Sequence, residues 1–311
     1  MPGRWRGLLL IAALAVIWGS NFACIKVALD VFTPAQLTFG RMLLGALVLC
    51  GVLGLGSVLA PQRRGLPNDP GSWVHLAIAA LIANALPYLL FALAETRVDS
   101  SVAGAVSAIT PLWTLALAAA LRQGEPVTAR RVAGFLLGLL GCLVLLAPWN
   151  AGAVDPFGVL ACLVAALCYA VSFVYMARYL TPRALTPMAL SAAQLIAATG
   201  WTLLVLAFHP GPPPSTARID PWLAMIVLGV VGTGIAYVIN YALIRAEGAS
   251  GASVVIYLIT VVSIALGAVL LGEPLTVNLL VGTLVILVGV VLSRDQAALS
   301  RAKSAGPRPG R

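Results

Sequence analysis

An all-α integral membrane protein, with ten transmembrane helices arranged as two inverted five-helix repeats, is the fold this sequence predicts. Three observations carry that prediction: the composition, a succession of long apolar runs, and one short motif that occurs twice. The chain of 311 residues is 61% hydrophobic and only 9% charged, with a mean hydropathy of +1.02. Soluble domains are roughly one quarter charged. A water-soluble fold of this size has too little polar surface to cover so much apolar side chain, so lipid is the solvent for much of it. The net charge is +9. Its cations lie between the apolar runs, which points to a membrane surface and not to nucleic acid.

A spanning helix needs about 20 mostly apolar residues. Ten runs meet that length, each bounded by charges, Pro or Gly: roughly 7–29, 34–55, 73–94, 99–121, 127–147, 156–179, 186–208, 221–244, 249–271 and 275–293. The first run is longer than the apolar stretch of a signal peptide and has no small-residue cleavage site after it, so it is read as a span. Most connections are short, which makes neighbouring spans antiparallel. The tail over 294–311 has no apolar pattern and reads as a disordered cytoplasmic segment.

Basic residues orient the chain. With the N-terminus in the cytoplasm, all of the 19 Lys and Arg residues except Lys26, Arg41, Arg97 and Arg218 fall on the inner side. Both termini are then cytoplasmic, and the expected location is the cell (inner) membrane. The twin motif fits this topology. "GEPVTARRVAG" starts at Gly124 and "GEPLTVNLLVG" at Gly272, with eight identities over the 18 positions of 124–141 against 272–289. Five spans, an odd number, separate the copies, so they lie on opposite faces. The copy that loses its arginines is the one facing outward. The spans therefore divide into repeats over 7–147 and 156–293. Looser pairings agree, among them Tyr88 with Tyr237 and Trp18 with Tyr169.

Two halves of opposite topology suit alternating access to a central site. An intramembrane enzyme or lipid-handling protein is the competing reading, and it needs a reactive group. None is found: there is no nucleophile elbow, HExxH or phosphate-cradling loop. The acids sit at helix ends, interfaces or loops. Cys24, Cys50, Cys142, Cys162 and Cys168 lie within apolar runs without metal-ligand spacing and read as small buried residues. Neither a metal nor a cofactor is expected.

The arrangement resembles the drug/metabolite transporter superfamily, in particular its ten-helix EamA-type members. The resemblance rests on the twin "GEPVT"/"GEPLT" element with its following glycines, on "WGSNFACIK" from Trp18 with "LTFGRMLLGAL" from Leu37, and on "YLITVVSIALGAVLLGEPL" from Tyr257. It covers essentially residues 8–293. The sequence departs from the family pattern at Thr260, where the second repeat commonly has proline; Pro111 keeps it in the first. The resemblance implies a basket of helices around a substrate cavity lined mainly by spans 1, 3, 4, 6, 8 and 9. It also implies export or exchange of small organic solutes such as amino acids.

Polar and aromatic residues at helical spacing mark the expected cavity: Trp18 and Asn21, Asn84 and Tyr88, Ser107 and Thr110, Tyr169 and Ser172, then Thr233, Tyr237 and Asn240, and finally Tyr257 and Thr260. Groups that hydrogen-bond are better placed in a wet cavity than in lipid. The plainer role for each is an interhelical bond worth about 0.6 kcal/mol. Arg41 lies about 10 Å into its span and suits an anionic substrate group; its plainer role is snorkelling or pairing with an outer acid such as Asp99. Lys26 is the second charge candidate of the site; its plainer role is to meet Asp30 at i, i+4. Pro87 and Pro111 are expected to kink their helices and so serve as gates. Glu125, Pro126, Glu273 and Pro274 are read as helix-starting structural elements of the repeat. The Gly- and Leu-rich fifth and tenth spans are expected to pack closely or to form a homodimer contact.

Overall fold

The structure is a computed structural model that describes residues 2–59, 66–120, 128–147, 154–180, 183, 185–240 and 255–293. Among these residues the chain is all-helical, with no strand. One label is given to each apolar run. α1 is Pro2–Ala28, α2 Pro34–Leu59 and α3 Pro70–Glu95. α4 comprises Ser100–Ser107 and Thr110–Ala120, α5 is Ala129–Leu146, α6 Pro156–Tyr179 and α7 Pro187–Phe208. α8 is described over Asp220–Asn240, α9 is Val255–Leu271 and α10 Val277–Ser293. Helices α1, α2, α3, α6, α7 and α8 contain six segments long and apolar enough to cross a membrane. Shorter apolar segments lie in α5, α9 and α10. Glu125, Pro126 and the 294–311 tail lie outside the described residues.

The helix starts follow from local chemistry. Pro opens α3, α6 and α7, where its missing N–H costs nothing. The residue before each supplies the cap: Asp69 accepts from Ser72 N (2.6 Å), Asp155 from Gly158 N (2.9 Å) and Thr186 from Ala189 N (3.2 Å). Thr33 and Gln36 form a reciprocal capping box before α2. The ends of the repeat motif also match. Val132 N donates to Thr128 O and Leu280 N to Thr276 O, both at 3.1 Å.

Helix α3 passes through a π-helical turn at Leu81–Ala85, and α8 through a longer one at Val227–Ile235. Shifted by 150 residues, the first falls inside the second. Pro87 sits just after the π turn of α3, where the widened backbone accommodates its missing donor. Pro111 likewise follows the break between the two pieces of α4. α9 runs unbroken through Thr260, the position where the family pattern has proline.

Packing repeats with the same shift of five helices. α1 packs on α9 as α6 packs on α4, α2 on α8 as α7 on α3, and α3 on α6 as α8 on α1. α5 and α10 pack on each other along glycine faces. A Cβ built on Gly141 would stand 2.6 Å from Ile286 N, and one on Gly282 would stand 2.7 Å from Leu145 N. Their other faces expose Leu136, Leu140 and Leu143 on α5 and Leu280, Leu284 and Val291 on α10, which is the pattern of a lipid-facing belt.

Candidate functional site

A cavity of about 240 Å³ lies between the two repeats. Its wall is made by Trp18, Asn21, Phe22 and Ile25 of α1, Arg41 of α2, Ala83, Tyr88 and Phe91 of α3, and Ser107 and Thr110 of α4. The second repeat contributes Tyr169, Ser172 and Met176 of α6, Gln194 of α7, Tyr237 and Asn240 of α8, and Ile259 of α9. The six helices that the family resemblance implied all contribute, joined by α2 and α7.

Among the described lining residues Arg41 is the charged one, and it is only 5% exposed. Its Nε donates to Thr233 Oγ1 at 3.0 Å. Its guanidinium lies over the Tyr88 ring, 4.2 Å from the centroid, a contact worth about 2 kcal/mol when water is excluded. With the Asn21 amide assigned by its hydrogen bonds, Asn21 Oδ1 accepts from Arg41 Nη2 at 2.8 Å and Asn21 Nδ2 donates to Ile17 O at 3.2 Å. Nη1 has no hydrogen-bond partner among the described residues. No carboxylate pairs with this cation there, and Asp99 does not reach it.

Aromatic rings form the body of the wall. Tyr88 meets Tyr169 edge-on at 6.4 Å, Tyr169 stacks on Phe91 at 6.0 Å, and Phe91 meets Phe22 edge-on at 5.6 Å. Trp18 Nε1 donates to Gly232 O in the π segment of α8 at 3.2 Å. A polar relay runs behind the rings. Gln194 Nε2 donates to Asn84 Oδ1 (2.6 Å), and Asn84 Nδ2 donates to Tyr237 Oη (2.7 Å). Thr233 Oγ1 donates to Leu228 O, five residues back, a spacing the π-helix makes possible. The hydroxyls of Ser107, Thr110 and Ser172 bond carbonyls three residues earlier in their own helices.

The predicted cavity residues thus divide. Trp18, Asn21, Tyr88, Ser107, Thr110, Tyr169, Ser172, Tyr237 and Asn240 line the cavity together with Arg41. Asn84 and Thr233 are fully buried behind it and hold lining residues in place. Thr260 is buried away from the wall, and the side chain of Tyr257 lies outside the described residues. Lys26 does not bond Asp30. Its Nζ donates to the carbonyls of Glu95 and Val98, both at 2.8 Å, at the C-terminal end of α3. Asp30 pairs instead with Arg218, at 3.1 Å. The helix turn carries Lys26 inward, toward the two carbonyls, and leaves Asp30 on the surface.

Glu273 caps a helix of the other repeat. Gly272 takes φ 67°, a left-handed conformation suited to glycine, and turns the chain after α9. The Glu273 carboxylate then accepts from the backbone N–H of Ser100 (2.8 Å) and Ser101 (2.9 Å) at the start of α4. Partial burial pushes its carboxyl up, but the Ser101 and Ser100 hydrogen bonds prevail and hold it below its usual range. The Gly158 amide, helped by nearby Arg97, holds Asp155 low as well.

The sequence expectation omits Gln194, because the family resemblance leaves α7 out of the lining helices. The available signal was a lone glutamine in the apolar run "SAAQLIAATGW". Phe91, Met176 and Ile259 carry no polar mark that separates a cavity wall from a lipid face.

The comparisons with known proteins point one way. The model of the EamA-like transporter family matches twice, over residues 5–147 and 156–294. A Pseudomonas aeruginosa protein, PA1977, is 31% identical over 94% of this chain and 95% of its own length. The uncharacterized transporter YvbV of Bacillus subtilis is 25% identical over 97% and 96%. The uncharacterized inner membrane transporter YedA of Escherichia coli is 28% identical over 88% and 87%. A crystal structure at 22% identity shares the fold over 97% of this chain and 99% of its own, with a TM-score of 0.64. With two copies of the family model spanning nearly the whole sequence, the chain belongs to the EamA-like transporter family.

Proposed function

We propose that this membrane transporter crosses the bilayer ten times, with both termini in the cytoplasm, and moves a small organic solute by alternating access. The observation that carries the reading is the cavity itself, built from both repeats and presenting rings, amides and one guanidinium to a shared centre. Its volume of about 240 Å³ lies below the range of roughly 300–1,000 Å³ for drug-sized ligands, which favours a metabolite. Arg41, without a carboxylate partner among the described residues, favours a solute bearing an anionic group, and the rings favour an apolar body. Amino acids and related carboxylates fit this chemistry. Export or exchange is the expected direction.

In this arrangement the end bearing Lys26, Glu95 and Glu273 faces outward. What supports closure there is the Glu273 cap, which ties the α9–α10 connection of one repeat to α4 of the other. The reading is tested by flux of labelled solutes into proteoliposomes, with carboxylates, amines and neutral sugars in parallel. Carboxylates are expected to move, and Arg41→Gln is expected to reduce their flux at least tenfold, the loss of about 1.4 kcal/mol or more of anion recognition. Flux of no solute, with chemical turnover instead, overturns the transporter mechanism. Normal carboxylate flux by Arg41→Gln overturns the role of Arg41.

A further inference from the structure

Glu95 differs from every other described acid. It is 1% exposed, and both of its carboxylate oxygens are buried without a hydrogen-bond partner. Asp30, Asp69, Asp155 and Asp220 pair with arginines near the surface, and Glu273 accepts two backbone N–H groups. Burying an ionised carboxylate without water or a donor is costly, and binding a proton removes most of that cost.

The surrounding charges do not balance. Within electrostatic reach of Glu95 are Cys24 and Lys26 of α1, Arg41 of α2, Cys162 of α6 and Glu273 of the α9–α10 connection, and Asp99 lies within reach of Lys26 and Glu273. Lys26 acts on Glu95 and Asp99, and Arg41 on Glu95 alone, so two cations stand against three carboxyl groups, Glu95, Asp99 and Glu273. Lys26 directs two donors at the Glu95 and Val98 carbonyls. No ion pair within 4.0 Å joins Lys26 to the Glu95 carboxylate among the described residues. The two amides favour the ionised form of Glu273, and half-buried Asp99 has access to water. The missing positive charge falls to Glu95.

We propose that Glu95 is a proton-binding site of the transport cycle, occupied while this end of the bundle is closed and emptied when it opens. Opening admits water, and the carboxylic acid passes its proton to that water, leaving carboxylate and hydronium. Closure reverses the transfer. Acid outside therefore favours the closed form. The proposal rests on the outward assignment and the alternating access put forward above.

The full-length protein in lipid nanodiscs supplies the first test. Near neutral pH its infrared spectrum is expected to contain a protonated-carboxyl band that Glu95→Gln removes and Glu95→Asp keeps. A second test uses Cys24 as the sole cysteine, labelled from outside by an impermeant maleimide. The ratio of its labelling rate to that in the Glu95→Gln background is expected to rise with external pH, approaching tenfold per unit for one proton. Cys24 lies in the field of Glu95, so its thiol titration is measured separately in each background and divided out of the rates. Glu95→Asp keeps that rise. A carboxyl band unchanged in Glu95→Gln, or a ratio indifferent to pH, overturns the proposal. So does a Gln variant that fails to fold while Asp folds, since glutamine imitates the neutral acid. Neither measurement uses a transported solute, so failure here leaves the flux result standing.

Discussion

A carboxylate at the start of a helix usually serves its own helix, and the sequence alone assigns Glu273 that role. The structure directs it across the repeat boundary to Ser100 and Ser101, and no local pattern could have announced that contact. Trp18, Asn21, Tyr88 and Tyr169 were legible because a polar or aromatic group in an apolar helix needs a reason to be there. Lys26 and Glu95 were not legible, because a charge near a helix end looks the same whether it turns to headgroups or to the interior. The Glu273 cap makes a measurable difference. Glu273→Gln is expected to cost about 0.5–2 kcal/mol, the range for lost N-terminal caps, read as a lower Tm in detergent. The sign with pH follows from its lowered carboxyl. The stabilisation is complete above the ordinary glutamate value of about 4.3 and is lost as pH falls through the depressed native one. The Tm gap between wild type and Glu273→Gln should therefore narrow in acid, and a constant gap would remove the charged cap from the account.

At the scale of elements, apolar run length located the helices closely, and the break in α4 and the π turns were beyond its reach. Prolines at 87 and 111 signalled irregular backbone in the first repeat. The π segment of α8 contains no proline. It contains Gly229, Gly232 and Gly234, and close approach explains them: a Cβ on Gly234 would stand 2.8 Å from Val48 Cγ1. The glycine faces of α5 and α10 were legible as a close-packing surface, and the structure spends them on each other within one chain. Two substitutions separate packing from propensity. Gly282→Ala sets a methyl against the Leu145 N and the Gly141 carbonyl, at 2.7 and 2.8 Å, and backbone atoms cannot turn aside. A loss of about 1–3 kcal/mol is expected. Gly200→Ala on α7 meets nothing within 4 Å and is expected to be neutral or to gain up to about 1 kcal/mol from helix propensity. Thermal unfolding of both variants checks the contrast, and equal effects would show that propensity alone governs these positions.

For the whole molecule, the internal repeat was visible in eight shared residues, and the structure extends it to helix packing and to paired π segments. A repeat with an odd number of crossings must reverse its direction in the membrane. With the proposed five crossings per repeat, Thr128 and Thr276, the matched threonines of the twin motif, are expected on opposite faces although their local backbones are alike. Both are exposed, so each is open to a reporter without disturbing the interior. The native cysteines are first replaced by alanine, and a single cysteine is then placed at one threonine or the other. In intact cells an impermeant maleimide is expected to label Thr276→Cys, and to label Thr128→Cys only after the membrane is opened. The positive-inside rule gives the direction, because Arg130 and Arg131 follow Thr128 whereas Asn278 and Leu279 hold the matching places after Thr276. Labelling of both from one side would mean that the two repeats run parallel. A parallel pair could not exchange conformations about the shared cavity, and the outward placement of Glu95 and Glu273 would lose its basis with it.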